Sequence, residues 1–66
     1  MPFTTIKVIK GVFSNEQKSQ LIQNTTEGMI KVYGESMRDK TWVVIEEVNS
    51  EDWAIGGKLP KLNPNK

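Results

Sequence analysis

Two short β-branched runs, separated by one stretch of helical periodicity, leave this chain few ways to fold. Residues 3–10 read FTTIKVIK, β-branched at Thr4, Thr5, Ile6, Val8 and Ile9, which is the composition of a strand. Residues 41–48 read TWVVIEEV; their apolar run at 42–45 is too short for a solitary helix, so they form a second strand. Between the runs, Gly11 ends the first strand, and Ser14 followed three residues later by Gln17 matches a capping box. A helix is therefore expected to begin near Asn15 and to stop at Gly34. Leu21, Ile22, Thr25, Met29, Val32 and Tyr33 recur at spacings of three and four, and Lys18, Gln23, Glu27 and Lys31 mostly avoid that stripe.

Strand, helix and strand in this order make a βαβ unit, with parallel strands and a right-handed crossover. The expected class is α+β: two parallel strands, one helix and a short C-terminal hairpin. One helix covers one face of a sheet, yet both strands carry apolar residues on alternating sets: Ile6 and Val8 against Ile9, Trp42 and Val44 against Val43 and Ile45. A two-stranded sheet also leaves two open edges, which are aggregation hazards unless another chain pairs with them. The expectation is a homo-oligomer whose sheets run between chains.

Size points the same way. A single domain over residues 1–66 buries only about 60% of its unfolded surface and needs support. Cysteine and histidine are both absent, so disulfides, thiolate metal sites and the usual partner of a serine nucleophile are excluded. Nine basic and eight acidic side chains give a net charge of +1, with the lysines scattered, which is poor support for nucleic-acid binding. No stretch approaches the roughly 20 apolar residues of a membrane span, and the first residues lack a signal-peptide core. A cytoplasmic protein is expected. In the last third, Trp53, Ala54 and Ile55 precede Gly56 and Gly57, a pair suited to a tight hairpin. Residues 60–66 read as an irregular tail that is ordered only if it docks on a neighbouring subunit.

Pro2 is the residue with chemistry to offer. Removal of Met1 would give it a free secondary amine, and an α-amino group titrates at roughly 7.7 to 8.0, close to neutrality. A general base works best with a pKa near the operating pH, and no histidine or cysteine competes for the role. Many proteins carry proline at this position without using it, so position alone does not make Pro2 catalytic.

The proline at the mature terminus, the strand ending in glycine, the SNEQK helix start, and VVIEEV followed by WAIGG together resemble the 4-oxalocrotonate tautomerase family over nearly the whole chain. The resemblance implies dimers sharing a four-stranded sheet, assembled into a homohexamer as a trimer of dimers. It also implies a cofactor-independent and metal-free reaction. In it the terminal proline takes a proton from carbon beside a carbonyl and returns it elsewhere.

Three groups are needed: a base, cationic or hydrogen-bonding groups for the developing dienolate, and an apolar wall that excludes water. The resemblance assigns the base to Pro2 and the wall to Trp53, which matches the aromatic position before I-G-G. The cations are where this chain departs. Val12 follows Gly11 where the family has an arginine, and Trp42 aligns with a second family arginine at the start of strand two. The only arginine is Arg38, a candidate anion anchor because a guanidinium grips a carboxylate with two hydrogen bonds. Its bland role is an ion pair with Asp39 or Glu35. Lys10, on the Val8 side of the strand, is a second candidate cation. Glu46 and Glu47 are adjacent in a strand and point to opposite faces, so they are not an acid–base pair.

The expected activity is enol–keto tautomerisation of a small 2-oxo or 2-hydroxy unsaturated acid. A monocarboxylate is favoured over a dicarboxylate, because a charge-assisted contact of roughly 1.5 to 3 kcal/mol is lost with each missing arginine. Two other functions fit the same chain. One is a non-catalytic oligomeric scaffold that binds a protein partner through Trp42 and Trp53. The other is a hydratase or dehalogenase with Pro2 as general acid, for which Glu51 and Asp52 are the nearest water-activating groups.

Overall fold

Alternation along the two β-branched runs sets the layers of the protein. The computed structural model describes residues 2–59. Strands β1 (Phe3–Ile9) and β2 (Trp42–Val48) pair in parallel, with Phe3 opposite Trp42 and Ile9 opposite Val48. Helix α1 (Asn15–Tyr33) connects them. Each strand is within one residue of its expected limits. A parallel pair needs a crossover of a dozen or more residues, which α1 supplies.

The helix starts where the sequence says it should. Ser14 Oγ accepts the Gln17 amide at 3.1 Å, and Gln17 Oε1 accepts the Ser14 amide at 2.9 Å, so two free amides of the first turn are satisfied reciprocally. At the other end Gly34 adopts φ 100° and donates its amide to the Ile30 carbonyl at 2.8 Å, a conformation that glycine alone tolerates easily. The expected polar connection after it is ordered as a 3-10 helix, Glu35–Lys40.

Under α1 lie Thr4, Ile6 and Val8 from β1 and Val43 and Ile45 from β2, which are less exposed than the residues alternating with them. The helix covers them with Ile30 and, partly, Thr25, Thr26 and Met29; Thr4 donates its hydroxyl to the Met29 sulfur at 3.2 Å. Val8 and Ile30 are the buried apolar residues at the centre of this layer. Ile30 stands where the expected apolar stripe had Val32, and Val32 is 80% exposed. Two residues along a helix turn the side chain by roughly 160°, measured the short way, so Val32 and Ile30 cannot face one sheet. Gly28, also in α1, has open space where a Cβ would stand.

The sheet face away from α1 is uncovered in the protomer, with Phe3 69% and Trp42 55% exposed and Val44 beside them. After β2, a 3-10 turn at Ser50–Asp52 leads into the hairpin, where Ile55 and Lys58 exchange backbone hydrogen bonds of 2.7 and 3.0 Å. Gly56 and Gly57 have φ of 60° and 83°, the two positive values that a tight hairpin of this kind requires. The expected irregular tail, residues 60–66, lies outside the described residues, as does Met1. Among the described residues no helix is long and apolar enough to cross a membrane.

Candidate active site

Pro2 stands just ahead of β1, half-buried, and its carbonyl accepts the backbone N–H of Trp42 at 3.0 Å. The first residue of β2 therefore holds Pro2 in register with the sheet. Proline has no N–H to place in a ladder, so the Pro2 nitrogen takes no part in strand pairing.

Lys10 and Trp53 meet at the opposite end. The Val48 carbonyl accepts both the Lys10 amide, at 2.9 Å, and the Trp53 indole N–H, at 3.2 Å. That shared acceptor ties the loop after β2 to the end of β1 and fixes the Trp53 ring, which is partly buried. At about 3.3 Å per residue, eight residues of strand separate Lys10 from Pro2 by roughly 26 Å. Within one protomer these two groups do not share a pocket.

Arg38 belongs to the Pro2 end of the sheet, four residues before Trp42 in the 3-10 helix. Each of its three guanidinium nitrogens donates to a carboxylate. Nη1 and Nη2 donate to the two carboxylate oxygens of Glu27, at 2.7 and 2.9 Å, and Nε and Nη2 donate to Glu35. The hydrogen bonds from Arg38 hold both carboxyls below the usual carboxylate range, and those carboxylates raise the arginine's own pKa further. Glu35 was an expected partner; Glu27, eleven residues away along the chain, was not. The four candidate residues thus fall into two pairs, Pro2 with Arg38 at one end and Lys10 with Trp53 at the other.

Val12 is exposed and follows Gly11 beyond the Lys10 end of β1. Trp42 is the residue that sequence reasoning set aside. In the tautomerase reading it entered only as a departure from the resemblance, yet its backbone is the group on which Pro2 hangs. The signal was its alignment with a functional position of the family. Glu47 pairs with Lys18 on the α1 side while Glu46, next to it, lies on the opposite face, as strand alternation demands. Asn15, Lys18, Ser19 and Ile22 of α1, with Ile45 and Glu47 of β2, line an open cleft of about 520 Å³; none of the four candidate residues lines it.

The comparisons with known proteins agree with this architecture. The family model for tautomerase enzymes matches residues 2–63. A protein of Dickeya dadantii (strain 3937) named probable tautomerase K2 is 38% identical over 58 residues, covering 88% of this chain and 85% of its own. The crystal structure of DmpI from Helicobacter pylori superposes with a TM-score of 0.76 at 37% identity, over 88% of this chain and 94% of that one. A structure of the 4-oxalocrotonate tautomerase isozymes from Methylibium petroleiphilum gives a TM-score of 0.76 at 36% identity, over 85% and 87%. With its βαβ fold and a family match over nearly its whole length, the chain belongs to the tautomerase family and is an enzyme of that kind.

Proposed function

We propose that Pro2, once Met1 has been removed, is the base of a cofactor-independent enol–keto tautomerase acting on small 2-oxo or 2-hydroxy unsaturated acids. The observation that carries this reading is the hydrogen bond from Trp42 to the Pro2 carbonyl. It anchors position 2 at the edge of an apolar surface and leaves the nitrogen available for proton transfer.

The remaining groups come from a second chain. Antiparallel apposition of two such sheets carries the Lys10 and Trp53 end of one protomer to the Pro2 end of another, and the uncovered face with Phe3 and Trp42 supplies apolar area for the contact. In that arrangement the partner chain contributes Lys10 as cation and Trp53 as wall. The hexamer implied by the family resemblance is the assembly in which we place this site. Arg38 can grip a substrate carboxylate with two hydrogen bonds only by giving up Glu27 or Glu35, so Lys10 is the better anchor. A single lysine favours a monocarboxylate of the phenylenolpyruvate kind over a doubly charged muconate.

The test begins with protein whose intact mass shows Met1 removed, and follows ketonisation of phenylenolpyruvate by ultraviolet absorbance. General-base catalysis contributes roughly a hundredfold or more, so Pro2→Ala is expected to lower kcat by at least about a hundredfold with the oligomer intact. Full activity in Pro2→Ala would overturn the assignment.

A further inference from the structure

Arg38 lies in the 3-10 helix but is gripped by Glu27 of α1, with both carboxylate oxygens engaged. A bidentate pair of this geometry fixes orientation as well as distance, which a lysine does not do. The segment it holds leads directly to Pro2. Thr41 donates its amide to the Arg38 carbonyl at 3.3 Å and its hydroxyl to the Met37 carbonyl at 2.8 Å. The next residue is Trp42, whose amide holds the Pro2 carbonyl.

Granting Pro2 as the base, we propose that Arg38 is a positioning residue: clamped by Glu27 and Glu35, it fixes the entry of β2 and, through the Trp42 amide, the place of Pro2. The clamp acts on the reaction without touching substrate. Glu27 ties the 3-10 helix to α1, while Glu35, three residues before Arg38 in the 3-10 helix itself, orients the guanidinium for that grip.

The experiment removes the partners and keeps the arginine. In Glu27→Gln with Glu35→Gln, amide hydrogen exchange is followed at Trp42 and at Val44, two residues further along β2 and directed to the same side of the strand. Local opening is expected to speed Trp42 exchange about tenfold relative to Val44. Misplacement of a catalytic group on the ångström scale costs up to about a hundredfold, so kcat for phenylenolpyruvate is expected to fall about ten- to a hundredfold with KM little changed. Unchanged protection at Trp42, an equal loss at Val44, or an unchanged kcat would overturn the proposal. So would a lower KM with kcat intact, because an arginine freed to bind substrate behaves that way. Should the double variant not fold, Arg38→Lys keeps the charge without the fork and is expected to show the same selective loss at Trp42. The exchange readout is independent of turnover, so an active Pro2→Ala protein would remove Pro2 as base while leaving the clamp's hold on Trp42 to be judged separately.

Discussion

The indole of Trp53 donates its N–H to the Val48 carbonyl, the same oxygen that receives the Lys10 amide. One acceptor at the end of β2 therefore sets both the lysine and the aromatic ring. Trp53→Phe keeps the aromatic ring that serves as wall in the proposed site but loses this anchor. A neutral hydrogen bond is worth about 1 kcal/mol, so kcat/KM on phenylenolpyruvate is expected to fall roughly fivefold. Trp53→Ala, which removes wall and anchor together, is expected to fall further. Equal activities in the two variants would mean that the hydrogen bond contributes nothing to placing the ring.

Ile30 and Val32 are two residues apart and differ most in burial, 7% against 80% exposed. Ile30→Ala removes buried atoms and leaves a cavity, so it is expected to cost about 2 to 5 kcal/mol in urea unfolding. Val32→Ala is expected to stay within about 0.5 kcal/mol. A large cost at Val32 would place that side of α1 against another chain.

Self-association follows from the uncovered sheet face. Phe3, Trp42 and Val44 form an apolar patch on it, and such patches mark interaction surfaces. At micromolar concentration the protein is expected to sediment as an oligomer, and Val44→Lys to shift it toward smaller species. A sharp monomer mass for the unaltered chain, independent of concentration, would rule this out.

The Arg38 clamp carries a pH dependence of definite sign. Hydrogen bonds from Arg38 hold Glu27 and Glu35 below their ordinary value of 4.5 in the folded state. Between the lowered values and 4.5 the unfolded chain binds more protons than the native one, so stability rises with pH through that window. The contribution is fully present above 4.5 and is lost as the pH falls. Urea midpoints measured from pH 6 down to pH 3 at low salt are expected to decline less steeply in Glu27→Gln with Glu35→Gln than in the unaltered chain. Added salt should shrink the difference, because these groups face solvent.

Much of the fold was legible because its signals are local. A β-branched run, the Ser14 and Gln17 box and the stop at Gly34 each act within a few residues, and each element follows its signal closely. The helix stripe was less legible, since Leu21, Val32 and Tyr33 fit the spacing as well as the residues that are covered. Which part of a broad apolar stripe meets the sheet depends on how the helix is set down on it. Of the two partners of Arg38, Glu35 was legible because it lies three residues away, but Glu27 was not: it reaches Arg38 only because α1 and the 3-10 helix pack together.

By itself the sequence determined the order of elements, the parallel pairing they force, and the alternation that sends Glu46 and Glu47 to opposite faces. Those follow from backbone propensity and from the period of the strand, which need no knowledge of distant contacts. Tertiary structure alone decided that Trp42 holds Pro2, that Lys10 and Trp53 converge on Val48 at the far end, and that Arg38 is gripped by Glu27. Each of those joins residues from separate elements, and their separation in space is fixed by strand length and helix packing rather than by any local preference of the chain.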